Sequence, residues 1–244
     1  MLFRQLFERE TSTYSYLLAD DVSREAILID PVRETVDRDV ELIVELGLTL
    51  THVLETHVHA DHVTGADLLR ARFGAKTVVC RAGGAPCADI AVDDGATIGF
   101  GRFVAEVRQT PGHTDGCVTY VVRDGARTMA FTGDAVLVRG CGRTDFQQGD
   151  ARRLYRSIHE KIFSLPDDTL LYPAHDYRGR TVTSVGEEKR WNPRIGAGQT
   201  EEQFVATMAA LRLQPPQRIN ETVPANLKCG RDGELRQEAS PMTS

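Results

Sequence analysis

No apolar run in this 244-residue chain exceeds a few residues, so nothing in it has the length of a membrane-spanning helix. The opening MLFRQLFERE carries Glu8 and Glu10 where a secretory leader needs an apolar stretch, and Met1 argues against an organellar leader trimmed before it. The chain is therefore expected in the cytoplasm, without a membrane partner. A lysine and arginine block is also missing: 29 basic against 35 acidic residues leave a net charge of −6, which excludes the electrostatic footprint of a nucleic-acid binder. The cysteines Cys80, Cys87, Cys117, Cys141 and Cys229 are odd in number and lack CxxC spacing, which suits neither a disulfide framework nor a structural zinc site. All five are expected as reduced thiols, with Cys229 an inert one in a polar tail. Internal repeats, low-complexity tracts and flexible linkers are absent too. What remains is an ordinary packed composition, 41% hydrophobic and 26% charged, in a chain long enough to bury a substantial core.

Hydrophobic periodicity orders the chain. Tyr14 to Leu18 and Ala26 to Ile29 read as strands, the second stopped by Asp30-Pro31. Val36, Val40, Ile43 and Val44 recur at helical spacing up to Gly47, and a strand from Leu50 to Glu55 follows: a β-α-β step. Leu68, Leu69 and Phe73 mark a second helix before Gly74, and Thr77 to Val79 a further strand. Between 97 and 133 the pattern shifts to short strands, Phe103 to Val107, Val118 to Val122 and Thr128 to Phe131, with Asp124-Gly125 as a hairpin turn. A helix from about Ala151 to Phe163 and a strand from Thr169 to Tyr172 resume the alternation. After Asp176 the chain is polar, with one amphipathic helix over Glu201 to Leu211 and a Pro-rich tail from Pro215 to Pro224.

The densest chemical signal is Thr56-His57-Val58-His59-Ala60-Asp61-His62, directly after an apolar strand and before a helix. Three imidazoles packed together are costly to protonate, and neutral imidazole is the commonest metal ligand. His57 and His59, two apart in an extended segment, project to one side. Three more candidates each end an apolar strand behind a small residue: His113 in TPGHT, Asp134 in FTGD and His175 in YPAHD. Small residues there let the backbone bend and approach a metal without a side-chain clash. Taken alone, Asp134 could cap a helix and His175 could bond a carbonyl; His52 and His159 lack the strand-end context and read as structural. Spacing by itself lets the seven candidates fill one metal site or two, with Asp134 between them.

HVHADH, PGHTDG, FTGD and PAHD, in this order and at these separations, make the chain resemble the metallo-β-lactamase superfamily over nearly its whole length. The resemblance implies an α/β fold, an αββα sandwich with the metal site at the sheet edges. It would form a single domain over 1–244, with a short helical and Pro-rich appendage from about 177. The narrower pattern RGCGRTDFQQG at 139–149, with His175-Asp176-Tyr177 and Pro224-Ala225-Asn226, is similar to the persulfide dioxygenase branch. That likeness implies one Fe(II) per chain on His57, His113 and Asp134, a two-histidine, one-carboxylate triad with positions left for substrate and oxygen. His59, Asp61, His62 and His175 would then orient the ligands by hydrogen bonds and carry protons. The implied reaction takes glutathione persulfide and O₂ to sulfite and glutathione, in a homodimer. Arg143 and Tyr177 are the candidate substrate contacts, because glutathione offers carboxylates that an arginine grips with two prongs; Arg139 and Arg194 are further candidates. The bland alternatives are a loop salt bridge and a tyrosine at the core edge. Glyoxalase II-like thioester hydrolases share the motifs and would use two metals, but they carry a longer helical domain after the last histidine. A non-catalytic metal-binding protein is the third reading, and the intact ligand set speaks against it.

Overall fold

The computed structural model describes residues 1–214 and 217–231. Its first half is a sheet of six strands in chain order: β1 (Leu2–Glu8), β2 (Thr13–Ala19), β3 (Glu25–Ile29), β4 (Thr49–Leu54), β5 (Lys76–Cys80) and β6 (Ile90–Val92). The first three are antiparallel neighbours. The rest pair in parallel, because the connections α1 (Val36–Glu45) and α2 (Ala66–Phe73) carry the chain back across one face. The second half repeats the arrangement: β7 (Thr97–Phe100), β8 (Phe103–Gln109), β9 (Val118–Asp124) and β10 (Arg127–Gly133) form an antiparallel meander. Then α3 (Ala151–Ser157), prolonged by a π-helical turn to Ile162, crosses back to β11 (Leu170–Pro173), parallel to β10, and β12 (Thr183–Ser184) closes the edge. Three further helices follow among the described residues, α4 (Val185–Trp191), α5 (Glu201–Ala210) and α6 (Ile219–Asn226).

Alternation decides the layers. Tyr16, Leu18, Ile27 and Ile29 point from one sheet toward Phe100, Tyr120, Val122 and Phe131 of the other and form a buried apolar core between them. Their strand neighbours Leu17, Leu28 and Val53 face outward onto Ile43 of α1 and Leu69 of α2. On the far side Val121, Ala130 and Leu171 meet Leu154, Ile158, Phe204 and Met208. The result is the four-layer αββα sandwich, with each fully buried aliphatic side chain contributing about 2 kcal/mol of transfer free energy. No helix of the described residues is long and apolar enough to cross a membrane.

Four differences from the sequence reading have physical causes. β1 escaped it because an edge strand half buried along its length shows no clean alternation. The residues after 177 are built into the body: Thr183 pairs with Leu171, Val185 enters the core, and α5 covers α3. The expected Pro-rich tail is a helix over Ile219–Asn226 with Pro224 inside it, while Pro215 and Pro216 lie outside the described residues. Lastly, Cys229 is neither in a polar tail nor free: it is buried and disulfide-bonded to Cys87. A partner 142 residues away is set by topology and leaves no local trace. Cys80, Cys117 and Cys141 are free, as expected, and buried.

Candidate metal centre

The strands β4, β8, β10 and β11 deliver their following loops to one end of the sandwich. There the two sheets are stitched together by backbone: Tyr14 N–H donates to Ala174 O (2.7 Å) and Val118 N–H to Thr56 O (2.8 Å), while Ala174 N–H donates to Gly133 O (3.0 Å) between β11 and β10 of one sheet. The small residues before the ligands are required by contact. Gly133 has φ +51° and a Cβ there would meet Thr56 Oγ1 at 2.7 Å; Gly112 has φ +134° and a Cβ would stand 2.3 Å from the Leu154 nitrogen.

His57, His113 and Asp134 each bring one ligand atom within 4.8 Å of the others. His113 Nδ1 lies 2.7 Å from the Arg143 carbonyl, which can only accept, so this nitrogen carries the proton and Nε2 is left as the ligand. That Nε2 stands 3.5 Å from Asp134 Oδ2. His57 Nδ1 contacts Thr56 Oγ1 (3.0 Å), and its ring meets that of His113 edge to face at 5.0 Å. Burial, with His59 and His113 alongside, holds His57 well below the ordinary histidine range, so it is a neutral imidazole.

His59, Asp61 and His175 form a second convergent group, and His175 Nε2 lies 3.6 Å from Asp61 Oδ2 and 3.7 Å from Asp134 Oδ1. His62 Nδ1 is 3.0 Å from Asp61 Oδ2. Burial opposes charge on His175, but Asp61 and Asp134 outweigh it and raise its pKa. Asp134 Oδ1, His59 Nδ1 and His62 Nε2 are buried without a hydrogen-bond partner. Buried carboxylate and imidazole atoms left without partners beside convergent ligand groups fit a cation site. Six of the seven expected residues thus fall into two adjoining groups, His57 with His113 and Asp134, and His59 with Asp61 and His175; His62 joins the second through Asp61, and His175 meets Asp134 across the boundary.

The supporting role of three residues was not legible in the sequence, although Asn226 stood in the Pro224-Ala225-Asn226 motif. Asp30, taken as a strand stop, is buried; its Oδ1 accepts from Thr56 N–H at 2.7 Å and lies 3.1 Å from His59 Nε2. It ends an apolar strand just as Asp134 does, which is the signal that could have marked it. Glu55 is buried beside it, 3.5 Å from the same His59 nitrogen. Burial works against charge on His59, yet Asp30 and Glu55 prevail and push it well above its usual range. Asn226, reaching in from α6, donates to the carbonyls of His59 (2.9 Å) and His62 (2.8 Å) and accepts from Thr64 N–H (2.8 Å).

The His57, His113 and Asp134 group opens into a cavity of about 710 Å³ whose wall includes Arg139, Arg143, Tyr177, Arg178 and Arg194. Arg143 spends its two-pronged grip inside the chain, on Asp145 (2.7 and 2.8 Å), and stacks 4.4 Å over Phe146. Arg139 is held by Glu187 and Glu188, and Arg194 donates to Cys141 O (2.9 Å). Tyr177 is 73% exposed, its ring parallel to that of His175. The side chains of Tyr177 and Arg178 are therefore the wall groups open to a ligand.

A family model for the metallo-β-lactamase superfamily matches residues 9–175. The mitochondrial persulfide dioxygenase ETHE1 of Homo sapiens is 56% identical over 231 residues, 94% of this chain and 89% of that protein. The crystal structure of ETHE1 from Myxococcus xanthus superposes with a TM-score of 0.91 at 53% identity, over 95% of this chain and all of the other. The hydroxyacylglutathione hydrolase GloC of Haemophilus influenzae is 33% identical over 198 residues, 72% of this chain and 90% of that protein.

Proposed function

Because this chain belongs to the metallo-β-lactamase superfamily, and within it to the persulfide dioxygenases, we propose that it oxidises glutathione persulfide with O₂ to sulfite and glutathione at one Fe(II) on His57, His113 and Asp134. The observation that carries the reading is the convergence of two imidazoles and one carboxylate at the head of a cavity large enough for a tripeptide. Two neutral nitrogens and one anionic oxygen leave a divalent cation net positive, with coordination positions for an anionic sulfur and a diatomic gas. When bound, the iron would supply the one-electron chemistry that lets O₂ react with persulfide sulfur.

The residues supply the rest. The Arg143 carbonyl fixes the tautomer of His113, and Thr56 contacts the remote nitrogen of His57. Asp30 and Glu55 hold His59 in place. His175, its protonated form favoured by Asp61 and Asp134, stands where it can give and take a proton beside the reacting sulfur. The balance requires one water: the persulfide, O₂ and H₂O become glutathione and sulfurous acid, which ionises to sulfite.

A second reading rests on the adjoining His59, Asp61 and His175 group, which could hold another cation and make the centre that of a dinuclear thioester hydrolase. Anaerobic metal analysis, with oxygen uptake on glutathione persulfide and hydrolysis of S-lactoylglutathione measured separately, decides. One iron per chain with oxygen uptake is expected. Two metals and thioester turnover without oxygen uptake would replace the dioxygenase by the hydrolase.

A further inference from the structure

The Cys87 to Cys229 disulfide stands behind the metal centre, and each of its ends leans on a different ligand loop. On the Cys229 side, Thr222 Oγ1 donates to Ala60 O (2.8 Å) and Asn226 bonds the backbone of His59, His62 and Thr64. Gly230 sits so near that a Cβ on it would be 2.3 Å from Thr64 O. Cys229 and Asn226 also line one small void with His57. On the Cys87 side, Gly83 packs against Gly116 so closely that a Cβ on Gly116 would stand 2.4 Å from the Gly83 Cα. Gly116 belongs to the loop that presents His113. The bond therefore ties the strap under His59 to Thr64 to the turn under His113.

Cys229 is buried and Cys87 partly exposed, so a thiol reaches the bond from the Cys87 side. The free thiols Cys80, Cys117 and Cys141 are all buried away from solvent, and burial pushes Cys117 up to about 12 and Cys141 up to about 11, so neither of those two offers a thiolate.

We propose that the Cys87 to Cys229 disulfide is a thiol-responsive modification site that governs how firmly the metal loops are held, an inference that rests on the iron site proposed above. Glutathione thiolate, the form of the reaction's own product that exchanges, attacks Cys87 Sγ; the S–S bond breaks and Cys229 leaves as a thiolate that takes up a proton. A second glutathione thiolate attacks the glutathione sulfur of the mixed disulfide and releases Cys87. The protein disulfide has gained two electrons and two glutathiones have become glutathione disulfide. Freed of the tie, the segment carrying Asn226 loosens under the His59 to Thr64 backbone. Accumulated product thereby weakens the centre that made it, and glutathione disulfide reverses the change.

The test uses iron-loaded enzyme in two preparations, one treated with glutathione disulfide and one reduced anaerobically with glutathione and then desalted. Alkylation and mass spectrometry count the thiols, ferrozine captures released iron, and hydrogen exchange follows the amides of 59–64 and 113–116. Expected is on the order of tenfold faster iron release after reduction, the size of effect a lost ligand-orienting contact has. Faster exchange should appear in both loops, with recovery on reoxidation. Cys87→Ser should resemble the reduced enzyme and should not recover. Equal iron release and equal exchange in the two preparations would overturn the proposal, as would finding Cys87 and Cys229 both alkylated after glutathione disulfide treatment. A protein that binds no iron would instead refute the metal reading, and the exchange difference would still decide the fate of the disulfide.

Discussion

At the scale of single residues, the centre separates groups that would hold the metal from groups that steer them. His113 and His175 are the test pair. His113→Ala removes a proposed ligand and should abolish iron retention and oxygen uptake together. His175→Ala removes a group that faces Asp61 and Asp134 across 3.6 and 3.7 Å. It should keep measurable iron and lose on the order of 10–100-fold in activity; iron content and turnover on glutathione persulfide, measured on the same preparations, distinguish the two. For Arg143 the sequence suggested a grip on a substrate carboxylate. The structure gives that grip to Asp145 and hangs His113 from the Arg143 carbonyl. Lysine cannot reproduce the fork, so Arg143→Lys should lower iron retention and kcat while leaving KM for glutathione persulfide nearly unchanged. A raised KM with normal iron would return Arg143 to the substrate.

At the scale of elements, the loop after β10 has little room to spare beside two proposed ligands. A Cβ on Gly142 would stand 2.5 Å from the Asp134 carbonyl and 2.9 Å from His113 Nδ1, between two proposed ligands. Gly142→Ala should therefore cut iron retention far more than it lowers the thermal midpoint, measured by metal analysis and by unfolding of the same sample. Much of the layout was legible beforehand, because long periodic segments declare themselves: Val36, Val40, Ile43 and the four-residue spacing of Leu154, Ile158 and Ile162 forced helices. The strand-end position of His57, His113, Asp134 and His175 forced a shared site. Short elements were hidden. β12 has only Thr183–Ser184, and α4 buries only Val185 and Glu188. Yet α4 carried a start signal, Ser184 followed by Glu187, and Ser184 Oγ does accept from the Glu187 N–H (3.2 Å). Asn226 could not be foreseen as a support, since its partners are backbone atoms more than 160 residues earlier in the chain, joined only by the completed fold.

For the whole molecule, one buried charge predicts how stability follows pH. Asp39 on α1 is 1% exposed, paired through Oδ1 to Arg38 (2.8 Å), with Oδ2 lacking a partner. Burial pushes its pKa up to about 6 against the pull of Arg38. A carboxyl raised on folding binds its proton more tightly in the native state, so its contribution is full below about pH 4 and is lost as the pH climbs through 6. Asp39→Asn removes that penalty and should gain on the wild type across this window, levelling near neutral pH at about 3 kcal/mol. Denaturant unfolding of both proteins from pH 4 to 7.5 gives the difference, and a gap that does not change with pH would deny Asp39 the role.

The strap from α6 has a consequence for biogenesis. The ribosome makes His57 to His62 well before Asn226, so a nascent chain carries every proposed ligand before it has the side chain that braces their loop. A metal bound before α6 emerges would sit in a loop that still lacks its brace.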